Sequence, residues 1–141
     1  MNEDQQRHLT QRLQAAAKDQ PRILALRKLL LKSGGTEVVP PPRANNLIWL
    51  LRYFGRPLTA KVSERPMEEG QCHANVARLW QRGALNGVGM GYALSSDGLW
   101  REHSWGFEND RIVETTEPRL KYFGIRLRGV FAEYFALAML E

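Results

Sequence analysis

The chain has 141 residues, which is enough for one domain with a continuous core and no support from metals or disulfides. Hydrophobic residues make up 43% of it and charged residues 25%, both ordinary values for a soluble globular protein. Charges interrupt every apolar run well short of the roughly 20 residues of a membrane span, and the polar first residues lack the pattern of a signal peptide. The single cysteine excludes an internal disulfide, so we expect a cytoplasmic protein.

The net charge of +5 raises the question of an acidic partner. Clustered lysine and arginine side chains attract phosphate groups, but the basic residues here are scattered, mainly before residue 33 and after residue 118. No recognition-helix or RNA-binding motif accompanies them. The charge pattern therefore favours a solvated surface over nucleic-acid binding.

The first 35 residues predict a pair of helices. Asn2 or Asp4 caps the first helix, which continues to about Lys18 with apolar residues on one face. Pro21 opens the second helix, and two consecutive glycines after residue 33 end it. The pair is expected either to pack on the main body as a hairpin or to contact a protein partner, including a second copy of the chain.

A stiff linker at Pro40–Pro42 follows this pair, and the remaining residues 45–141 are predicted to form the core of the same domain. The very apolar segment Asn45–Phe54 predicts a buried helix in preference to a strand. The loop-rich passage after it contains a short strand, which we expect at Leu58–Val62.

From residue 70 onward, the sequence predicts one helix and then three strands. The helix extends from about Cys72 to Gly83, and strong turn signals separate the strands. The first turn is Asp97-Gly98, predicted as a two-residue hairpin loop, and the second is Asn109-Asp110. The three strands are expected at Val88–Ser95, Leu99–Glu108 and Arg111–Thr116.

The chain is predicted to end in an amphipathic helix that begins at Arg126 or Arg128 and ends at Leu140. Its inward side chains are expected to be Val130, Phe131, Tyr134, Phe135 and Leu137. Helices come first, an antiparallel meander follows and a helix closes the chain. The predicted fold is therefore a single α+β domain over residues 1–141, in which the central helix packs on a small antiparallel sheet.

Cys72 is a candidate nucleophile. A thiol at the start of a helix lies at the positive end of the helix dipole, which lowers its pKa and favours the reactive thiolate. A free cysteine is more commonly a small buried hydrophobe, but the neighbours Gly70, Gln71 and His73 do not form a core pattern. We expect His73 to tune the thiol or to cap the helix.

Strand register places a histidine and a carboxylate on one face of the predicted sheet. If Asn109-Asp110 is a two-residue loop, Trp105 lies opposite Glu114, and His103 lies diagonal to Glu114 on the same face. Long side chains can close the roughly 7–8 Å between diagonal positions. The same count through the first hairpin places Tyr92 opposite His103.

A carboxylate on this apolar face needs a partner, because burial of an unpaired charge is costly. His103 can supply one. Glu114 would then fix the tautomer of the imidazole and stabilise its protonated form, as the third member of a catalytic triad does. A zinc site formed by Cys72, His73 and this pair is the alternative, but the spacing matches no standard zinc pattern. We therefore predict no metal and no cofactor.

Five short pieces follow one another between Gly70 and Pro118, about a third of the chain. They are Gly70-Gln71-Cys72, the helix Asn75–Trp80, Gly91-Tyr92, His103-Ser104-Trp105 and Glu114-Thr115-Thr116. In this order they resemble the papain fold and, within it, the transglutaminase-like cysteine enzymes. That group has a Gly-x-Cys helix start, a Gly-Tyr strand, a His-x-Trp strand and a strand ending in Asp-x-Thr. The sequence departs from this pattern at Glu114, where the group usually has aspartate.

The resemblance implies a papain-like core and catalysis by Cys72, with His103 as its base and Glu114 as the orienting acid. It implies that an amide or ester substrate, such as a peptide, forms a thioester that water or an amine resolves, and hydrolysis is the simpler outcome for so small a domain. No glutamine stands in the position that such enzymes use for an oxyanion donor. The candidates for substrate binding or for a further oxyanion donor are Tyr92, Trp100 and Gln71. The alternative function is a catalytically inactive module that binds or regulates a partner.

Overall fold

The computed structural model describes residues 2–41 and 46–141. Within these residues the chain forms five helices, α1 (Glu3–Asp19), α2 (Arg22–Lys32), α3 (Leu47–Phe54), α4 (Cys72–Gln81) and α5 (Gly129–Leu140). It also forms seven strands, β1 (Glu37–Val38), β2 (Arg56–Leu58), β3 (Val62–Glu64), β4 (Gly87–Leu94), β5 (Leu99–Glu108), β6 (Arg111–Glu114) and β7 (Lys121–Leu127). The predicted α+β class is confirmed. The end of the predicted linker at Pro42 and the start of the predicted third helix at Asn45 lie outside the described residues.

The predicted N-terminal pair of helices is confirmed. Asn2 caps α1 in a capping box, because its side chain accepts a hydrogen bond from the Gln5 amide while the Gln5 side chain accepts one from the Asn2 amide. Pro21 precedes α2, and Gly34 and Gly35 follow it at positive φ. Both helices bury apolar side chains in one cluster with α3 and the sheet, so the pair packs on the main body as a hairpin.

The seven strands form one strongly curled sheet in the order β2-β7-β4-β5-β6-β3, with β1 paired to the first residues of β5. β2 and β3 lie at opposite edges of this order, yet only residues 59–61 connect them. Such a connection spans roughly 13 Å at most, so the two edges must lie close together. The inner face of the curl holds a small core of Ala93, Trp105, Phe107, Ile112 and Tyr122. The helices pack on the outer face.

The second hairpin has the predicted register. Glu108 pairs with Arg111, and Asn109 adopts the left-handed conformation (φ 54°) that a two-residue loop of this kind requires. Because side chains alternate along a strand, this register directs His103 and Glu114 to the inner face of the sheet.

The first hairpin differs from the prediction by one residue. The Ser95 amide donates to the Leu99 carbonyl, so the loop comprises residues 96–98 rather than Asp97-Gly98 alone. The last loop residue is a glycine at a φ of 86°, the left-handed conformation that ends three-residue hairpin loops. Every pairing between β4 and β5 is thereby shifted by one residue from the predicted register.

The strand prediction misses β7 and misplaces the strand expected at Leu58–Val62. β2 ends at Leu58 and β3 begins at Val62, so the predicted segment is the connection between two strands. β7 buries Tyr122, Phe123 and Gly124 in succession, because both faces are covered there and the alternation of polar and apolar residues is lost. β4, β5 and β6 form the predicted antiparallel meander, but β1 and β3 run parallel to their partners, so the sheet as a whole is mixed.

The last helix, α5, lies close to its predicted position but buries a different face. Its buried side chains are Ala132, Phe135 and Ala136, and it packs against α4. Of the five side chains expected inward, four are instead 51–66% exposed, namely Val130, Phe131, Tyr134 and Leu137. Alanines permit a close approach to α4, and a helix that is apolar on all sides carries no signal for the face it buries. No helix in the described parts of the chain is long and apolar enough to cross a membrane.

Candidate active site

Cys72 is the first residue of α4, as the sequence predicts. Gly70 takes a φ of 72° in the turn before the helix, and Gln71 at the N-cap makes no side-chain capping bond. The first backbone N–H groups of α4 therefore keep the positive end of the helix next to the thiol. The Asn75 side chain anchors this turn by donating to the carbonyl of Glu68 at 2.8 Å.

His103 and Glu114 form a buried pair. Nε2 of His103 lies 2.9 and 3.0 Å from the two carboxylate oxygens of Glu114, and the side chains are 3% and 0% exposed. Glu114 also accepts hydrogen bonds from the Tyr122 hydroxyl at 2.7 Å and from the amide and hydroxyl of Thr116, both at 3.1 Å. The structure therefore gives the buried carboxylate the histidine partner that strand register predicts, with the shared proton on Nε2.

A stretch of β5 that pairs with neither β1 nor β6 lets α4 approach His103 and Glu114. On the side of β5 away from β4, β1 pairs with residues 99–100 and β6 with residues 106–108. The first turn of α4 packs beside the residues between them, since His73 is hydrogen-bonded to Ser104 and Cys72 lines the same cleft as His103. The helix start and the middle of β5 are thus brought together by the gap between two short strands.

The electrostatics of the site favour a thiolate paired with an imidazolium. Burial by itself raises the pKa of Cys72, but hydrogen bonds to His103 and His73 outweigh it and lower the pKa from 9.0 to about 5. Burial lowers the pKa of His103, whereas its bonds to Cys72 and Glu114 outweigh that effect and raise it. Burial likewise raises the pKa of Glu114, and the bond to His103 leads the contributions that bring it below its usual value. Because Nε2 of His103 faces the carboxylate, Nδ1 is the nitrogen left for the thiol.

A second imidazole also contacts the thiol. Nδ1 of the partly buried His73 lies 2.5 Å from Oγ of Ser104, which leaves Nε2 for Cys72. The hydrogen bond to Cys72 raises the pKa of His73 above its ordinary value. Adjacency to Cys72 is the sequence signal for this histidine, but its contact with Ser104 on β5 is visible only in the folded chain.

We expect the substitution His73→Gln to raise the midpoint pH of Cys72 alkylation, because it removes one of two groups that stabilise the thiolate. Glutamine keeps a polar side chain for Ser104. The rise should be smaller than the one caused by loss of His103, which a buried carboxylate supports. The measurement is the rate of iodoacetamide reaction against pH, and an unchanged midpoint would mean that His73 does not stabilise the thiolate.

The thiol opens onto a cleft of about 540 Å³. The lining residues are Glu69, Gly70, Cys72, Arg101, Glu102, His103, Thr116, Glu117 and Arg119. Arg101 is engaged by the protein itself, since its guanidinium lies 2.8 Å from the carboxylate of Asp97. The thiol of Cys72, the imidazole of His103 and a cleft of the size that holds small ligands therefore share one place on the surface.

Comparison of the chain with known proteins finds no match. No family model, no curated protein and no solved structure matches the chain. The chemistry of the site therefore has to be inferred from its own residues and distances.

Two residues expected to bind substrate or an oxyanion do not face the cleft, which corrects the prediction. Tyr92 and Trp100 are fully buried in the cluster that α1, α2 and α3 form on the outer face of the sheet. Tyr92 pairs with Glu102 rather than with His103, because the first hairpin loop is one residue longer than predicted. Gln71, the third candidate, is exposed at the N-cap beside the thiol.

A zinc site at Cys72 would need imidazole nitrogens of His73 and His103 as ligands, and two of these nitrogens already have other partners. Nε2 of His103 binds Glu114, and Nδ1 of His73 lies against the hydroxyl of Ser104. Within residues 2–41 and 46–141, no group of three or more His, Cys, Asp or Glu side chains is placed to hold a metal ion.

Proposed function

We propose that this protein is a cysteine-nucleophile enzyme that cleaves an amide or ester bond through a thioester on Cys72. One observation carries the proposal: Cys72 lines the same cleft as an imidazole that a buried carboxylate orients, and its interaction with this imidazole lowers the pKa of the thiol. Activation of a weak nucleophile requires a base within hydrogen-bond reach and a third group that fixes the base. Cys72, His103 and Glu114 satisfy these requirements in that order.

The chemistry follows from the two nitrogens of His103. Nδ1 takes the thiol proton, and the sulfur of Cys72 attacks the carbonyl carbon to give a tetrahedral oxyanion. When the intermediate collapses, the bond from carbon to the leaving nitrogen or oxygen breaks, and the imidazolium returns its proton to the leaving group. Water then loses a proton to Nδ1 and attacks the thioester, which releases a carboxylic acid and restores the thiol. Throughout, Glu114 stays ionised and holds Nε2–H.

The start of α4 supplies one oxyanion donor. Cys72 is the first helical residue, and the backbone N–H groups of a first turn have no partner within the helix. An N–H donor on the residue that carries the nucleophile is well placed for the oxygen of a carbonyl under attack. The side-chain amide of Gln71 is the candidate for a second oxyanion donor, because this side chain is exposed and makes no capping bond.

The resemblance of residues 70–118 to the papain fold and the transglutaminase-like enzymes supports the same chemistry. The longer arm of Glu114, where those enzymes usually have aspartate, still brings both of its oxygens within 3.0 Å of Nε2. Water has access to a thiol at the wall of an open cleft, so we favour hydrolysis over transfer to an amine. The substrate class we propose is a peptide or another amide-containing compound.

The proposal predicts that a p-nitrophenyl ester acylates Cys72 at pH 6. We expect a burst of nitrophenol close to one equivalent per chain and a mass increase of one acyl group on the peptide that contains Cys72. The reason is that a thiol with a pKa of about 5 is mostly thiolate at this pH. Stopped-flow absorbance measures the burst of nitrophenol, and mass spectrometry of the acid-quenched protein measures the acyl adduct.

Cys72→Ala is the matched control, because it removes the single thiol of the chain and should abolish both the burst and the adduct. Cys72→Ser should retain the fold but react far more slowly, since a hydroxyl is not ionised near neutral pH. A folded wild-type protein that forms no adduct, and whose thiol alkylates with a midpoint near 9, would contradict the proposal. The remaining function would then be that of a binding or regulatory module.

A further inference from the structure

Glu114 is held by more than its histidine. Oε1 accepts a hydrogen bond from the Tyr122 hydroxyl at 2.7 Å, and Oε2 accepts two from Thr116 at 3.1 Å. Tyr122 lies on β7, on the far side of β4 from β5 and β6, the strands that carry His103 and Glu114. The buried carboxylate therefore takes its shortest hydrogen bond from a strand that contributes no other member of the site.

We propose that Tyr122 is a positioning residue of the triad, whose hydroxyl holds Glu114 in the ionised and oriented form that His103 requires. This inference rests on the proposed function and extends it to a fourth residue. A carboxylate in an apolar surrounding stays ionised only when enough donors face it. If one donor is lost, the carboxylate either takes up a proton or rotates away from Nε2, and both changes weaken its support for the imidazolium.

The ring and the hydroxyl of Tyr122 have separable roles. The ring packs edge-on against Trp105 at 5.0 Å between centroids, and Trp105 in turn lies 6.1 Å from the ring of His103. Gly124, two residues further along β7, leaves room for Trp105, because a Cβ there would lie 2.7 Å from the indole. The ring thus belongs to the inner core, whereas the hydroxyl serves the carboxylate, and phenylalanine would keep the first role and lose the second.

Other charged and titratable groups surround Glu114 and set the direction of the effect. Nε of Arg119 lies 3.9 Å from Oε1, and the same guanidinium donates to Thr116. Glu64 is the backbone partner of Glu114 on β3, so a second carboxylate stands nearby. Arg119 and His103 favour the ionised form of Glu114, whereas Glu64 disfavours it. Loss of the Tyr122 donor therefore shifts Glu114 toward its protonated form.

The test compares Tyr122→Phe with Tyr92→Phe in iodoacetamide alkylation of Cys72 against pH. Tyr92 is a matched control, because it is also buried, lies on the opposite face of the sheet, and has a hydroxyl that finds no hydrogen-bond partner within the described residues. We expect Tyr122→Phe to move the midpoint upward by about 0.5–1 on the pH scale, which is less than the rise expected for loss of His103. Tyr92→Phe should follow the wild-type profile.

Thr116→Val provides a second variant should Tyr122→Phe not fold, since it removes one donor to Oε2 from a half-buried site and keeps the amide donor. It should shift the midpoint in the same direction by a smaller amount. A low wild-type midpoint that neither folded variant moves would overturn the role of Tyr122 and leave the proposed function standing. A wild-type midpoint near 9 would overturn both, because there would be no activated thiol to support.

Discussion

Replacement of His103 by glutamine is expected to raise the midpoint pH of Cys72 alkylation from about 5 to about 7 or higher. Glutamine can still donate a hydrogen bond to Glu114, so the buried carboxylate keeps a partner, but it cannot take a proton from the thiol. Alkylation requires the thiolate, whose fraction rises as the pH rises through the pKa of Cys72. A higher pKa therefore moves the whole rate profile to higher pH.

The size of the rate effect follows from two opposing factors. A rise of two units in the pKa lowers the thiolate fraction about 100-fold at pH values below the midpoint. At pH 5, the wild-type midpoint, the thiolate fraction falls about 50-fold. The more basic thiolate is about tenfold more nucleophilic, so the alkylation rate at pH 5 should fall about fivefold. Acylation by the p-nitrophenyl ester should fall further, by about 10²–10⁴, because general acid and base catalysis is lost as well.

His8→Gln is the control for this experiment, since His8 is an exposed histidine on α1. It should leave the midpoint and the ester reaction unchanged. Circular dichroism would establish that both variants are folded. A folded His103→Gln protein with the wild-type midpoint would show that His103 does not activate the thiol, and the role of base would then fall to His73 or to none.

Replacement of Gly91 by alanine is expected to destabilise the protein by about 3 kcal/mol or more and to lower its melting temperature by about 10 °C. Gly91 lies on β4 opposite Gly124 of β7, where a Cβ would come within 2.0 Å of the carbonyl oxygen of Phe123 and 2.6 Å of the Gly124 Cα. These are backbone atoms of a paired strand, so no side-chain rotation relieves the contact. Thermal and denaturant unfolding would provide the measurement.

Gly83→Ala is the comparison variant. Gly83 follows α4 at a φ of 74°, and a Cβ there meets no atom within 4 Å, so only conformational strain opposes the substitution. We expect a loss of about 1–2 kcal/mol at this position. Equal stability losses at the two glycines would contradict the tight approach of β4 and β7 described for Gly91.

Signals that act over a few residues predicted much of the geometry around the site. The two-residue loop at Asn109-Asp110 is encoded locally, because its backbone conformation suits asparagine. The register of β5 and β6 then follows, and so does the meeting of His103 with Glu114. The start of α4 at Cys72 is likewise predicted by the glycine before it and the apolar pattern after it.

The sequence-based prediction was wrong where a loop length, the buried face of a helix or the presence of a strand is not encoded by nearby residues. Asp97-Gly98 suits both a two-residue and a three-residue loop, and the difference of one residue turned Tyr92 to the outer face of the sheet. α5 is apolar all around, so its pattern did not show that the alanine face packs on α4. β7 is covered on both faces and therefore lacks the alternation that marks a strand.

By itself, the sequence determined the α+β class, the helix that begins at Cys72 and the register that pairs His103 with Glu114, because each depends on propensities and periods within about 15 residues. Only the tertiary structure decided that the thiol and the imidazole line one cleft, that His73 reaches Ser104 and that Tyr122 faces the carboxylate. These contacts join residues whose approach depends on the curl of the whole sheet and on the gap between β1 and β6. Such packing is a property of all the elements together, and no local pattern in the chain records it.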